Sequence, residues 1–345
     1  MSEFTPLHLL ESLNQKLFDA GVEQVPIRKG FGDGLLAAAK ADERVVGLCA
    51  DLTESTYMLP FKKEFPERFI EMGVAEQNLA TVASGLAAAG KIPFITSYAM
   101  FSPGRNWEQI RTTIAYNDQP VKIVGSHAGI SVGPDGGTHQ AVEDLALMRV
   151  IPNMTVLAPC DALEARKATL AAAKNGTPVY IRLVREKTPI ITTEATDFKI
   201  GRMQIFFEPG GGKTAHPQAT IFVTGGLMHR ALVAAKKLFE QGRPVRVVNV
   251  ASIKPLDEAM LDQCARETGA FVTVEEHQIS GGLGGAIAEW AGSHHPLPIE
   301  RVGVKDEFGQ SGTPDQLIAH YHMDTADIVQ AALRAIMRGT HGSRI

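Results

Sequence analysis

Short, continuously apolar runs separated by helical patterns dominate the chain, and this alternation narrows its fold more than any other feature. "RVVGLCAD" (44–51), "IPFITSY" (92–98), "VKIVGSH" (121–127), "MTVLAP" (154–159) and "PVYIRLV" (178–184) are short and apolar without a polar alternate face. Between them, "AEQNLATVASGLAAA", "NWEQIRTTIAYN", "AVEDLALMRV" and "DALEARKATLAAAKN" carry helical spacing. Buried strands spaced by helices predict a parallel sheet covered on both faces. Asp161, just after Pro159, is placed to cap the last of these helices, with Glu164 three residues on.

The pattern breaks over 186–218, which is polar and glycine-rich with room for one or two short strands. A second alternation follows: "ATIFVTGG", a helix over 227–241, "PVRVVNVASI", a helix over 257–268, and "AFVTVEEH". Two more helices are expected after "IERVGVKDEF". The expected class is therefore α/β with two doubly wound domains, which suits a chain of 345 residues. The expected organisation is an N-terminal helical extension (1–24), a first domain (25–190), a linker with the first strands of the second domain (191–218), and a second domain (219–345). Helices over 1–20 and 324–338 read as amphipathic and are expected on the outside.

Composition removes several function classes. The net charge is −4, with acids and bases interspersed, so no basic footprint for nucleic acid is visible. Cys49, Cys160 and Cys264 lie far apart, without metal spacing or a disulfide framework, which favours a reducing compartment. The first residues lack a signal-peptide core, and no run approaches the ~20 apolar residues of a membrane helix. A soluble, cytoplasmic protein is expected.

Three glycine motifs are weak. "GGGKT" (210–214) would need the first P-loop glycine at Phe207, and it lies between two expected strands. "GFGDG" (30–34) and "GGLGG" (281–285) lack the full dinucleotide fingerprint. The pairs His294/His295 and His320/His322 have no partner at metal-ligand spacing and read as surface residues; no metal ligand is assigned.

Two stretches carry chemistry. In "FIEMGVAEQNLATVASGLAAAG" (69–90), Glu76 stands at the mouth of a run of small, apolar residues. Such a glutamate either complements the helix dipole or is a carboxylate tuned for proton chemistry, and the stretch alone leaves both open. "GSHAGISVGPDGGTHQAVEDLALMR" (125–149) follows an apolar strand and precedes a helix, at the sheet edge where open α/β folds bind ligands. His127 and His139 flank a glycine-rich loop bearing Asp135, and imidazole suits proton movement near neutral pH.

"GSHAGISVGPDGGTHQ", "GVAEQN" and "ADLTEST" together closely resemble the pyrimidine-binding domain of transketolase. "EDLALMRVIPNMTVLAPCDALE" and "VYIRLVRE" continue the similarity, and "SIKPLD" and "VTVEEHQISGGLGGAIAE" resemble the transketolase C-terminal domain. The resemblance runs from Val25 over nearly the whole chain. It implies a thiamine diphosphate pyrimidine-binding domain followed by a C-terminal domain, and transfer of a two-carbon ketol unit between sugar phosphates. It also implies site roles. Glu76 would bond N1′ of the cofactor's aminopyrimidine and favour its activating tautomer. Tyr98 and Phe101 would wall the ring, and Asp51 would lie near the cofactor. His127 and His139 would bind donor hydroxyls and shuttle protons, and Asp135 would recognise a sugar hydroxyl. Arg28, Ser55 and Arg185 would grip the terminal phosphate, for which a planar guanidinium is well shaped. Arg105 is left unassigned, because a short insertion at 102–104 blurs the register after Phe101.

Complete transketolases are about twice as long and begin with a diphosphate-binding domain whose GDG motif and a later asparagine hold Mg²⁺. Here "GDG" (32–34) sits in a helical segment with no asparagine in the matching window. The Mg²⁺ ligands are therefore expected on a separate partner subunit, in a heterotetramer of two chains of each kind. Competing expectations are the β subunit of a 2-oxoacid dehydrogenase, a 1-deoxyxylulose-phosphate-synthase-like enzyme, and a non-catalytic scaffold. A paired-histidine loop and sugar-phosphate arginines argue against the first, and the normal single long chain argues against the second. The retention of Glu76, His127 and His139 together argues against the third.

Overall fold

The computed structural model describes residues 8–210 and 216–342. The chain opens with β1 (His8–Leu9), β2 (Gln24–Pro26), α1 (Ile27–Ala41), β3 (Val45–Cys49), α2 (Leu59–Glu64), β4 (Phe69–Glu71), α3 (Glu76–Ala88) and β5 (Ile92–Tyr98). Next come α4 (Trp107–Gln109), which runs on as a π-helical turn to Ala115, then β6 (Lys122–Ser126), α5 (Asp144–Arg149), β7 (Thr155–Leu157), α6 (Ala162–Lys174), β8 (Val179–Arg182) and β9 (Lys187–Pro189). The second half holds β10 (Gln204–Glu208), β11 (Thr220–Val223), α7 (Met228–Glu240), β12 (Arg246–Asn249), β13 (Ser252–Lys254) and α8 (Glu258–Thr268). It ends with β14 (Phe271–Gln278), α9 (Leu283–His294), β15 (Ile299–Val304), α10 (Pro314–His320) and α11 (Thr325–Gly342).

The first sheet runs β13-β7-β8-β6-β5-β3-β4 and is parallel except for β13. Its apolar runs are continuous because neighbouring residues enter different cores. Val46, Ile95, Ile123, Val156 and Tyr180 face α3 and α5. Val45, Phe94, Val124, Leu157 and Ile181 face α1 and α6. A full burial contributes about 1.5–3 kcal/mol per large apolar side chain, so an apolar residue is favoured at every position rather than every second one. The second sheet, β1-β10-β12-β11-β14-β15, repeats this: Ile221, Val247 and Val272 face one core, Phe222, Val248 and Phe271 the other. Its β1 and β10 pair antiparallel and the remaining strands are parallel.

The expected single strand "PVRVVNVASI" divides. β12 stays in the second sheet, while β13 crosses to pair with β7 in the first, and Lys254 donates to the carbonyls of Arg149 and Ile151. The Asp161 cap is present, its side chain accepting the Glu164 N–H at 2.8 Å. α9 is a further helix that the glycine-rich run "GGLGGAIAEW" did not suggest.

The expected N-terminal helix is corrected where it is described: residues 1–7 lie outside the described residues, and 8–23 form β1, a bridge at Leu13 and successive turns. Leu9, Leu13 and Leu17, four apart, mimic a helical stripe. Their backbone finds partners elsewhere instead. β1 pairs with β10, Asn14 N–H donates to the Ile191 carbonyl at 2.8 Å, and the Leu17 carbonyl lies 2.8 Å from His229 Nε2. Leu13 and Leu17 are buried in the second domain's core, so this segment is a strap on its own chain.

The three glycine motifs have ordinary structural reasons. "GFGDG" lies inside α1, and a Cβ on Gly30 would come within 1.8 Å of the Ala162 carbonyl oxygen on α6. The glycines thus let two helices approach closely. In "GGLGG", the Leu283 and Gly284 N–H groups donate to Glu275, each at 2.7 Å, so the start of α9 already holds a protein carboxylate. "GGGKT" lies, past Gly210, outside the described residues. Among the described residues, no helix is long and apolar enough to cross a membrane.

Candidate active site

The carboxyl ends of β3, β4, β5, β6 and β8 bring the sequence-selected residues to one edge of the first sheet. Tyr98 closes β5, and His127 follows β6 directly. The His127 backbone has φ 54, a left-handed turn that takes the ring off the strand line. His127 is buried and stacks on Tyr98 with ring centroids 3.8 Å apart. Phe101 stacks on Tyr98 at 5.9 Å, and His139 meets the Phe101 ring edge-on at 5.4 Å. Four rings from two loops thus form one slab. Each histidine Nδ1 lies 2.9 Å from the preceding hydroxyl, Ser126 for His127 and Thr138 for His139, which leaves Nε2 as the other ring nitrogen.

Glu76 is the first residue of α3 and is 4 % exposed. Its Oε1 accepts from Arg105 Nη1 at 3.0 Å, and the Arg105 guanidinium lies 4.1 Å from the Phe101 ring centroid. Arg105 therefore bridges the carboxylate to the aromatic slab. Asn106, fully buried, donates to the Glu76 carbonyl at 3.0 Å and to Ser102 Oγ at 3.1 Å, fixing the loop to the helix start. Val74 to Asn78 and Arg105 line an open cavity of about 590 Å³. Sequence reasoning missed Arg105 and Asn106. The signal was the polar pair in "SPGRNWEQ", obscured by the uncertain register after Phe101.

Arg28, the second residue of α1, donates to the Ser55 carbonyl at 2.6 Å and to the Arg185 carbonyl at 3.1 Å. Ser55 thus meets Arg28 through its backbone. Arg185 donates to the Val132 carbonyl at 2.6 Å and lies 3.9 Å from Asp135, tying the β8 end to the histidine loop. Asp51 stands apart: it is exposed, with φ 57, and its N–H donates to Glu71 at 2.8 Å. Glu71 also takes the Gly73 N–H and the Thr53 hydroxyl, so it organises this loop, a role the sequence did not suggest.

Burial, aided by Arg28, Arg185 and His139, pushes the His127 pKa down to about 3. His127 is accordingly a neutral hydrogen-bonding group at physiological pH. The unfolded chain, with a histidine near 6.5, binds more protons between about 6.5 and 3. The stability contributed by neutral burial is therefore lost as pH falls through that window. Imidazole resonances of His127 in the folded chain should stay unchanged from about pH 8 to 5. A titration midpoint near 6.5 would contradict the burial argument.

Comparison with known proteins matches this architecture in order. The transketolase pyrimidine-binding domain matches residues 23–190, and the transketolase C-terminal domain matches residues 213–328. A protein of Methanocaldococcus jannaschii, named as a transketolase C-terminal section, is 42 % identical over 90 % of this chain and 96 % of its own. A 6-deoxy-6-sulfo-D-fructose transketolase subunit of Clostridium sp. (strain MSTE9) is 40 % identical over 91 % and 96 %. A solved split-gene transketolase, described as an inactive β4 tetramer, superposes with a TM-score of 0.84 at 42 % identity, covering 91 % of this chain and 99 % of that one.

Proposed function

Because this chain belongs to the transketolase family, we propose that it is the pyrimidine-binding half of a split enzyme moving a two-carbon ketol unit from a ketose phosphate to an aldose phosphate. The observation that carries this reading is the gathering of Glu76, the Tyr98–Phe101 wall and the His127–His139 pair at one sheet edge.

A flat nitrogenous ring needs an apolar face and an anionic acceptor at its rim. The ring slab and the buried Glu76 carboxylate, joined by Arg105, supply both, so the residues fit the aminopyrimidine of thiamine diphosphate. When bound, that cofactor supplies the carbon nucleophile that takes up the ketol unit. Glu76 would hold the proton at the ring nitrogen N1′, and Tyr98 and Phe101 would orient the ring. Asp51 would line the cofactor's side of the loop.

His127 would bind a donor hydroxyl as a neutral imidazole. His139, half-buried, would pass protons between the substrate and the surroundings. Asp135 would recognise a further sugar hydroxyl. Arg28 and Arg185 would grip the donor's terminal anion, with the Ser55 carbonyl aiming Arg28. The Mg²⁺ ligands and the diphosphate pocket would come from a separate subunit, two of each chain making the assembly.

A relative is named for a sulfonated sugar, so the donor's anionic group is the feature to vary. Xylulose 5-phosphate, 6-deoxy-6-sulfofructose and an unphosphorylated ketose should be compared as donors with the partner present. Anionic donors are expected to exceed the neutral one in kcat/KM by at least about 10²-fold. Equal use of all three would remove the arginine pair from substrate recognition.

A further inference from the structure

The end of β14, Glu275–Gln278, lies in the second domain and outside the site just described, yet it holds the loop on which the site depends. Glu276 is 3 % exposed, and its Oε1 accepts the Ser131 N–H at 2.5 Å across the domain seam. Gly129 has φ 89, and a Cβ there would come within 2.3 Å of that oxygen, so the loop backbone rests directly on the carboxylate. Gln278 N–H donates to the Val142 carbonyl at 2.7 Å. Gln140 Nε2 reaches the carbonyls of Ile130, Gly133 and Gln310, linking the loop to the second domain again. Behind Glu276, Arg182 donates to the Glu276 carbonyl at 2.7 Å and to Asp144, and Asp144 also accepts the Tyr180 hydroxyl at 2.8 Å.

His127 and His139 sit at the two ends of this loop, and Glu276 bonds it between them, at Ser131 near the His127 end. A hydrogen bond from a backbone amide to a buried carboxylate is charge-assisted and directional, so it fixes the backbone of a glycine-rich segment in a way that the apolar burial of Ile130 and Val132 does not. We propose that Glu276 is a positioning residue: by holding the Ser131 amide it sets the spacing of His127 and His139, giving the second domain control over the substrate site. The catalytic consequence rests on the proposed transketolase reading; the ordering of the loop does not.

The test compares Glu276→Met, which fills the space without an acceptor, with Glu276→Gln, which keeps an acceptor oxygen. Amide hydrogen exchange is measured on the full chain and kinetics on the assembled enzyme. In Glu276→Met, exchange over 129–136 is expected to quicken about tenfold, with the rest of both domains unchanged. Its kcat should fall by about 10²-fold with the cofactor requirement unaltered, and Glu276→Gln should restore most of both. The proposal is overturned if the two variants behave alike, if loop exchange is unchanged, or if protection is lost evenly across both domains. Should the wild-type assembly lack two-carbon transfer, the functional reading fails, while the exchange result still decides the role of Glu276 in the loop.

Discussion

Glu76→Gln should reduce two-carbon transfer in the assembled enzyme by about 10³-fold and leave the chain folded. The substitution conserves size at a side chain that is 4 % exposed, so it leaves no void behind. Its structural costs are small and separable. A negative charge at the start of α3 complements the helix dipole by about 0.3–1 kcal/mol. The ion pair with Arg105 contributes about 0–1 kcal/mol, because the arginine side chain is 50 % exposed and solvent screens it. Their sum is well below the 5–15 kcal/mol, roughly, that keeps a domain folded. The chemical cost is of another order. A glutamine oxygen can still accept a hydrogen bond from a ring nitrogen, but it carries no charge to stabilise a proton there. A melting curve within a few degrees of wild type, with turnover lost, is the expected pair of results. Retention of more than about a tenth of the activity would show that another group activates the cofactor.

Much of the first domain was legible because its strands are buried on both faces and are therefore apolar at every position. "IPFITSY" became β5 over the same residues, Ile92–Tyr98. The grouping of Glu76 with two aromatic and two histidine side chains was legible through motif resemblance. Periodicity alone left Glu76 open between dipole partner and catalytic group. What was not legible depended on contacts between distant segments. Leu13 and Leu17 have helical spacing, yet the Ile191 carbonyl and the second domain's core compete successfully for that stretch. β13 leaves its own domain because its edge completes the first sheet against β7, which no local pattern records. Arg105 was set aside on register, although its place against Glu76 and Phe101 is the link that joins carboxylate to ring slab. The backbone link from Arg28 to the Ser55 carbonyl joins segments 27 residues apart, which no local pattern records.

The second large effect concerns assembly: this chain alone should show no two-carbon transfer. The Glu76 cavity opens broadly to the surface, and Val74 on its rim is 68 % exposed, as the proposed sharing of the site with a second subunit requires. "GDG" is committed to the α1–α6 contact, where Gly34 packs against the Arg166 carbonyl and Thr169, and cannot serve as a metal-binding loop without unpacking two helices. The decisive measurement is transfer from xylulose 5-phosphate to ribose 5-phosphate with thiamine diphosphate and Mg²⁺ present. It is made on the purified chain, on a separately purified diphosphate-binding subunit, and on their mixture. Product is expected only in the mixture. Turnover by the purified chain alone, at a rate comparable to the mixture, would contradict it.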